Sequence, residues 1–197
     1  MKRIMLIAFI FIVLAQWIVP AEMIRNRRAV LQNGVAYKFR TQPIDPVDPF
    51  KGRYVALNFS ENVCSVKEPA KYQYGAAVYV VFKNGGDGYA KIFSVSNQPP
   101  AGEVAFVKGT VRYITTESYD SSGIMHINYP FSEFYMEESK APKTENLFRD
   151  SIMNPSLETY ALVKVYKGDA VIEDLFFSDR SVKELLKEIE LKERKRK

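Results

Sequence analysis

A stiff turn followed by an alternating strand, at residues 45–59, constrains this chain more than any other stretch. Asp45 and Asp48 each precede a proline, which fixes its own φ angle and favours extended geometry in the residue before it. Gly52 can then take the positive φ angle of a tight corner. Beyond that corner the apolar side chains alternate, as in a half-buried strand, and three share one face: Val55, Leu57 and Phe59.

The same stretch resembles the signature of a bacterial family named for it, the GDYXXLXY proteins. The matching run is Gly52-Arg53-Tyr54-x-x-Leu57-x-Phe59, preceded by a lead-in at residues 43–51 that is rich in proline and aspartate. Weaker family landmarks resemble Lys108-Gly109-Thr110-Val111, Tyr135-Met136-Glu137-Glu138 and Tyr166-Lys167-Gly168-Asp169-Ala170. The likeness covers residues 30–178 and implies a membrane-anchored bacterial protein without an assigned reaction.

Two positions differ from the family signature. Arg53 stands where the family has aspartate, so any acid, base or metal role of that carboxylate is absent from this chain. Phe59 replaces a tyrosine, which exchanges one aromatic ring for another. The resemblance makes the following residues candidates for binding: Asp45, Asp48, Gly52, Arg53, Tyr54, Leu57, Phe59 and Glu137.

Residues 1–24 are predicted to form a membrane anchor. The segment starts with two basic residues, and Ile4–Val19 is apolar with one exception. As a helix this run would span about 24 Å, and an extension to Ile24 would span about 31 Å, against a hydrocarbon core of roughly 30 Å. A cleaved signal peptide is the alternative, because the residues around Pro20 are small enough for a cleavage site. The remaining chain would then be secreted.

The basic residues that flank this segment do not decide which side of the membrane the body occupies. Lys2 and Arg3 precede the apolar run, and Arg25, Arg27 and Arg28 follow it, so the positive-inside rule gives nearly a tie. The signal-like layout and the family pattern favour an extracytoplasmic body. The predicted location is therefore the bacterial cytoplasmic membrane, crossed once, with the body on the periplasmic side.

The net charge of +5 belongs to the two ends of the chain. Residues 1–28 carry +4 and residues 179–197 carry +3, whereas the body between them carries −2. A nucleic-acid-binding domain would carry its positive charge on the folded body, so nucleic acid is not an expected partner. Basic ends beside an apolar segment favour a membrane surface. Cys64 is the single cysteine, which excludes an internal disulfide.

Residues 35–178 are predicted to form an all-β domain, either an antiparallel sandwich or a partly closed barrel. The predicted strands cover residues 34–40, 53–59, 75–82, 89–95, 104–116, 124–129, 131–137, 157–166 and 170–177. In the first of these strands, Val35, Tyr37 and Phe39 alternate. Hairpins are expected around residues 84–88 and 167–169, and a bend is expected at Gly109.

Helical patterns flank this predicted β domain. Residues 25–34 are predicted to be a short helical connector. In residues 179–197, Ser181-x-x-Glu184 is a capping-box pattern that precedes an apolar stripe: Val182, Leu185, Leu186 and Ile189. This pattern predicts a C-terminal amphipathic helix, and docking on the β domain is favoured over contact with lipid or a partner.

Candidate metal ligands are few. Asp45 and Asp48, together with Glu61, could bind a hard cation through their oxygens. Aspartate before proline more often caps its own turn by accepting backbone hydrogen bonds, and this role is favoured. We therefore predict no metal site and no cofactor.

Candidate nucleophiles and bases are equally sparse, and no catalytic residue is predicted. His126 is the only histidine, and a structural role is favoured over that of a lone base. Ser65 and Lys67 could form a dyad, but both residue types are common. Tyrosines on strands could line a binding face, although sheet packing explains most of them: Tyr54, Tyr72, Tyr74, Tyr79, Tyr89, Tyr113, Tyr119, Tyr129 and Tyr135.

Two function classes remain open at this point. The favoured class is a non-enzymatic, membrane-tethered binding module that binds or supports another envelope component, such as a multi-spanning membrane protein. The alternative is an extracytoplasmic hydrolase or transferase with a site built from Asp45 or Asp48, Arg53, Tyr54 and Glu137. A deep pocket that gathers those residues would favour the enzyme, and a shallow tyrosine-lined face would favour binding. The sequence does not indicate a small-molecule ligand.

Overall fold

The computed structural model describes residues 2–42, 54–102, 105–116, 122–137, 140, 142–144, 147 and 158–195. The two long helices are α1 (Lys2–Asn33) and α2 (Val182–Lys195). The strands are β1 (Val35–Gln42), β2 (Tyr54–Ala56), β3 (Asn58–Phe59), β4 (Val63–Val66), β5 (Ala77–Asn84), β6 (Ala90–Ser96), β7 (Phe106–Thr116), β8 (Gly123–Asn128), β9 (Glu133–Tyr135), β10 (Thr159–Tyr166), β11 (Asp169–Phe177) and β12 (Arg180–Ser181).

The first sheet contains five antiparallel strands in the order β12-β11-β10-β1-β3. β10 and β11 form the hairpin predicted around residues 167–169. Strand β1 pairs with β10, and Phe39 lies opposite Ala161. The alternation predicted for β1 is confirmed because Tyr37 and Phe39 are buried. Val35, at the start of this strand, is 49% exposed.

The second sheet also contains five antiparallel strands, in the order β4-β8-β7-β5-β6. β5 and β6 form the hairpin predicted around residues 84–88. Strands β4 and β6 are the two ends of this order, yet both line the same groove. The sheet must therefore curl until its two edges face each other, which makes it nearly a barrel. Two antiparallel sheets, one of them almost closed, confirm the predicted all-β fold class.

The strand predicted over residues 53–59 is two short strands that belong to different sheets. β2 pairs with β9, and Tyr54 lies opposite Tyr135. β3 pairs with the end of β1, and Phe59 lies opposite Thr41. Leu57 lies between the two strands, and its N–H donates to the Ser132 carbonyl at 2.8 Å. The break allows one stretch of chain to connect two separate pairs of strands.

The core is one continuous apolar cluster between the two sheets, and phenylalanine rings lie at its centre. The ring of Phe39 meets Phe59 at 5.6 Å, Phe82 at 4.9 Å and Phe131 at 5.3 Å between centroids, each in an edge-to-face arrangement. Such arrangements add to the free energy gained from burial alone. Rings from both sheets thus pack around the fully buried Phe39.

The bend predicted at Gly109 occurs slightly later in β7. The register between β7 and β8 shifts between Val111 and Tyr113, which indicates a bulge. Gly109 is required for another reason, because a Cβ atom there would lie 2.7 Å from Cγ2 of Ile127. The glycine therefore allows β7 and β8 to pack closely, and the bend belongs to the bulge.

Helix α1 is continuous from Lys2 to Asn33, so the predicted connector at residues 25–34 is its last part. Val30 is buried against the first sheet, and the helix ends where the N–H of Gly34 donates to the Val30 carbonyl at 2.8 Å. In the described part of the chain, no helix combines the length and the apolar character needed to cross a membrane. The predicted membrane-spanning helix is thus not found.

Helix α2 has the predicted position and the predicted apolar stripe. It begins at Val182, and the Ser181 hydroxyl accepts the N–H of Lys183 at 3.1 Å, as an N-terminal cap does. Val182 and Leu186 are buried against β11 and β12. Asp174 supports this junction, because its carboxylate accepts the Ser181 hydroxyl at 2.7 Å. The helix therefore docks on the β domain, as predicted.

Candidate functional site

Four of the eight predicted binding residues lie outside the described residues: Asp45, Asp48, Gly52 and Arg53. Tyr54 is described only as part of strand β2. Its partner strand β9 ends two residues before Glu137, and the register places Tyr135 opposite Tyr54. The Glu137 side chain is 70% exposed and forms an ion pair with Lys140 at 2.9 Å. Such surface pairs contribute little to stability, and Glu137 lies outside the groove described below.

Leu57 and Phe59, the other two predicted binding residues, are core residues. Leu57 is 5% exposed and Phe59 is 2% exposed. Phe59 packs against Phe39 and Phe131, with ring centroids 5.6 and 5.2 Å away. Because their side chains are enclosed by protein, they stabilise the fold and do not present a surface to a ligand. Their role in the signature is packing.

The described residues form a groove of about 660 Å³ between β4 and β6, the two edge strands of the second sheet. We call this gap between the two edges the seam. One wall is β4 with the 3-10 turn before it, and the other wall is β6. The lining residues are Ser60, Glu61, Val63, Cys64, Ser65, Val66, Lys67, Glu68, Lys71, Tyr72, Lys91, Ile92, Phe93, Ser94 and Val95. In the described part of the chain, β4 and β6 are not joined by backbone hydrogen bonds. The two walls of the groove are therefore linked by side chains.

A buried glutamate provides the first of these links. Glu61 is 5% exposed, and its Oε1 atom accepts a hydrogen bond from Nζ of Lys91 at 3.2 Å. Its Oε2 atom is also buried and has no hydrogen-bond partner among the described residues. The Tyr129 hydroxyl donates to the Glu61 carbonyl at 2.7 Å, and burial raises the pKa of Tyr129 well above its ordinary value. Glu61 is thus held firmly at one end of the groove.

The second link comes from Tyr72, which follows the 3-10 turn Pro69–Lys71. Its hydroxyl donates to the carbonyl of Val95 on β6 at 3.4 Å. A backbone carbonyl of β6 therefore points into the groove. Phe93, on the same strand, is 64% exposed and gives the rim of the groove an apolar surface. The groove combines strand edges, charged groups and an exposed aromatic ring.

Three residues considered above for other chemistry also lie on the β4 wall: Cys64, Ser65 and Lys67. In the described chain no hydrogen bond joins Ser65 to Lys67, so the structure does not assemble the dyad. Glu61 is likewise part of this wall, and no cluster of three or more potential metal ligands occurs among the described residues. Cys64, Ser65 and Lys67 are therefore placed as lining residues of the groove.

Cys64 is expected to react slowly with alkylating agents. Burial raises the pKa of its thiol to about 11, from about 8.5 for a free cysteine. Since only the thiolate reacts, the labelling rate should be about 300-fold below that of a free thiol at pH 7.5 and should rise about tenfold per pH unit until the pH approaches 11. Mass spectrometry with iodoacetamide measures this rate at the single cysteine. A rate that reaches its plateau near pH 9 would contradict the burial.

Tyr89, one of the tyrosines considered for a binding face, packs within the fold. Tyr89 is buried, and its hydroxyl donates a hydrogen bond to the Glu158 carboxylate at 2.8 Å. The Arg40 guanidinium lies over the Tyr89 ring, 4.0 Å from its centroid. Arg40 also pairs with Asp87 at 3.0 Å, so this network joins the β5–β6 turn to the first sheet. Burial raises the pKa of Tyr89 to about 12. This tyrosine therefore has a structural role.

His126 also occupies a structural position. It is half-buried on β8, and its ring stacks on Tyr113 of β7 with centroids 4.1 Å apart. Among the described residues, it forms no hydrogen bond or ion pair with a carboxylate. The predicted structural role of this histidine therefore fits its surroundings better than catalysis.

The comparison with known families agrees with the sequence signature. The GDYXXLXY protein family matches residues 16–175, which is most of the chain. The chain belongs to the GDYXXLXY family. No curated protein and no solved structure matches it.

The positions that resemble GDYXXLXY landmarks contact one another. Tyr54 of the signature lies opposite Tyr135 of a later landmark. The N–H of Lys108 donates to the Gly168 carbonyl at 2.8 Å, and the N–H of Gly168 donates to the Phe106 carbonyl at 3.0 Å. These contacts join β2 to β9 and attach the β10–β11 hairpin to β7. Much of the GDYXXLXY pattern is therefore explained by the architecture.

Sequence reasoning missed Lys91, which links the walls of the groove, and considered Tyr72 only as one of many strand tyrosines. Lys91 lies among apolar residues of β6, and a charged residue in such surroundings indicates that a charged partner lies nearby. The partner, Glu61, is 30 residues earlier in the chain, and only the curl of the sheet brings the two together. The GDYXXLXY landmarks do not include either residue, so the resemblance offered no guide.

Proposed function

We propose that this GDYXXLXY protein is a bacterial envelope protein that is attached to a membrane through α1 and whose β domain binds another membrane component. The observation that supports attachment is the exposure of α1. Eleven of its described large apolar side chains between Met5 and Ile24 are more than half exposed, with Trp17 at 71% and Phe11 at 73%. Among the described side chains of α1, only Val30 is buried, and the helix contacts β10 and β11.

The pattern of exposure favours lipid over a protein partner as the cover for α1. Apolar side chains surround the helix on all sides, whereas a helix that docks in a protein groove has one apolar stripe. The first acidic residue, Glu22, pairs with Arg25 at 3.0 Å, so charges begin where the apolar region ends. Trp17 lies shortly before that point, as expected for a tryptophan near a membrane interface.

The proposed arrangement places the β domain beyond the second end of the apolar segment, on the extracytoplasmic side. The signal-like layout of the N-terminus supports this side. The groove between β4 and β6 supports a binding role, because it presents strand edges and charged side chains in an open seam. A multi-spanning membrane protein is the proposed class of partner, since α1 would confine the β domain to the membrane surface.

Leu14→Lys tests the membrane attachment. A lysine near the centre of the inserted segment should weaken insertion by about 2.5–3.5 kcal/mol, or roughly 100-fold. The full chain is mixed with vesicles of phosphatidylethanolamine and phosphatidylglycerol and then floated on a density gradient. We expect the natural chain to float with the vesicles and the Leu14→Lys chain to remain mostly at the bottom.

The matched control is Leu191→Lys on α2, because Leu191 is 58% exposed and Leu14 is 62% exposed. This control should float like the natural chain. If the Leu14→Lys chain floats as well as the control, or if the natural chain forms lipid-free oligomers through α1 and ignores the vesicles, the proposed attachment is wrong.

A further inference from the structure

The open seam of the second sheet leaves two strand edges facing each other. β4 pairs only with β8, and β6 pairs only with β5, among the strands of the described chain. The outer edge of each strand therefore faces the groove. Exposed strand edges are templates for pairing with another extended segment, because their N–H and C=O groups lack a ladder partner.

The hydrogen-bond pattern shows which backbone groups of β6 face the groove. The N–H of Lys108 donates to the Gly168 carbonyl, on the side of β7 away from β5. Because backbone N–H and C=O groups alternate in direction along a strand, those of Val107 point towards β5, where Val107 lies opposite Val80. Val80 in turn lies opposite Val95 of β6. The backbone N–H and C=O of Val80 bond to β7, so Val80 and Val95 form a pair without hydrogen bonds between them. The N–H and C=O of Val95 therefore point to the outer edge of β6. The contact from Tyr72 to the Val95 carbonyl agrees with this assignment.

The side chains around the seam indicate the chemistry of an occupant. Lys91 pairs with Glu61 at 3.2 Å, and Lys71 pairs with Glu68 at 2.8 Å. Lys67 forms no ion pair with a described residue, so the groove carries one unbalanced positive charge. The exposed ring of Phe93 offers an apolar contact on the opposite wall. A segment with an acidic residue and an apolar residue would complement both features.

We propose that the groove binds an extended peptide segment of a partner protein, which adds to the outer edge of β6 as a new strand and places an acidic side chain near Lys67. This inference rests on the proposed binding function and specifies how the partner is recognised. The incoming strand replaces the Tyr72 hydroxyl at the Val95 carbonyl and pairs with the Val95 N–H. The partner segment is recognised mainly through its backbone, and Lys67 and Phe93 select its side chains.

Val95→Pro tests the added strand directly. Proline removes the Val95 N–H, which points away from β5, so the ladder between β5 and β6 is retained. Val95→Ala is the matched control, because it shortens the side chain and retains the N–H. The probe is a phage-displayed library of random linear peptides, selected on the full chain in detergent micelles. Peptide binding in micelles does not depend on insertion into a bilayer. A negative result in this test therefore leaves the membrane attachment intact, and a negative flotation test leaves the peptide groove intact.

We expect selected peptides to be enriched in Asp and Glu, and Lys67→Ala to abolish that enrichment. Val95→Pro should weaken their binding about tenfold or more, and Val95→Ala should change it by less than about threefold. Tyr72→Phe should tighten binding about two- to tenfold, because the peptide no longer competes with a hydroxyl for the Val95 carbonyl. This gain of affinity is measured in a variant with unchanged packing, so it remains informative even if Val95→Pro does not fold.

Three results would overturn the proposal. The first is a library that yields no peptide that binds the natural chain above background. The second is a set of selected peptides that bind folded Val95→Pro as tightly as Val95→Ala. The third is weaker binding in Tyr72→Phe, which would mean that the hydroxyl contacts the peptide and does not compete with it.

Discussion

Replacing Phe39 with alanine is expected to lower the free energy of unfolding by about 3–5 kcal/mol. Phe39 is completely buried, and its ring contacts one phenylalanine ring from each sheet, Phe59 and Phe82, and the ring of Phe131 from the turn after β8. Alanine removes the apolar burial and leaves a cavity that the surrounding strands cannot fill by small shifts. Since a domain of this size is stable by about 5–15 kcal/mol, this loss is a large part of the total. Urea titration followed by circular dichroism measures it.

Phe93→Ala is the matched control for this prediction. Phe93 is 64% exposed on β6, so the same chemical change there removes little buried surface. We expect a change within about 0.5 kcal/mol. Similar losses for the Phe39 and Phe93 variants would show that the ring of Phe39 is not the centre of the core.

Gly168→Ala is expected to destabilise the protein by about 1–3 kcal/mol from backbone strain, and close packing should add to this cost. Gly168 has a φ angle of 95°, which side-chain-bearing residues rarely adopt. A Cβ atom there would also lie 3.0 Å from Cε2 of Phe106. The substitution strains the backbone at the point where the β10–β11 hairpin bonds to β7, so the contact between the sheets should weaken.

Gly86→Ala serves as the control for Gly168→Ala. A Cβ atom at position 86 would meet nothing within 4 Å, and no positive φ angle occurs there. The control should change the free energy of unfolding by less than about 0.5 kcal/mol. Hydrogen exchange at the Lys108 amide, which donates to Gly168, gives a second measurement. Unchanged exchange in a fully stable Gly168→Ala protein would contradict the role assigned to this glycine.

Local patterns predicted the elements of this fold that depend on nearby residues. The alternation in β1 correctly placed Tyr37 and Phe39 in the core, and the glycine-rich turn at residues 84–88 predicted the β5–β6 hairpin. The apolar stripe of α2 was likewise sufficient to predict the helix and its docked face. In each case the determining interactions lie within a few residues, so the sequence pattern contains them.

Such local patterns could not predict which strands pair when the strands are far apart in the sequence. β1 pairs with β10, so that Phe39 lies opposite Ala161 across more than half of the chain, and no local signal specifies that choice. The short strand β4 was not predicted, because four residues give too little alternation to detect. The division of residues 54–59 between two sheets was also missed, since Leu57 fits the alternation of one continuous strand.

The candidate site depends on these long-range features, which explains why it was predicted poorly. The groove exists because the second sheet curls until β4 and β6 face each other. Glu61 was considered only as a cation ligand beside Asp45 and Asp48, whereas the structure pairs it with Lys91. The signature instead directed attention to Leu57 and Phe59, which are core residues. A family signature can therefore mark packing as strongly as function.

The fluorescence of Trp17 tests the central claim, attachment through α1, most directly. Trp17 is the only tryptophan in the chain and is 71% exposed on α1, so its emission reports on the surroundings of that helix alone. On addition of phosphatidylethanolamine and phosphatidylglycerol vesicles, we predict a shift of the emission to shorter wavelength and quenching by lipids brominated on their acyl chains. Emission that remains typical of water, with no quenching by brominated lipid, would contradict the account.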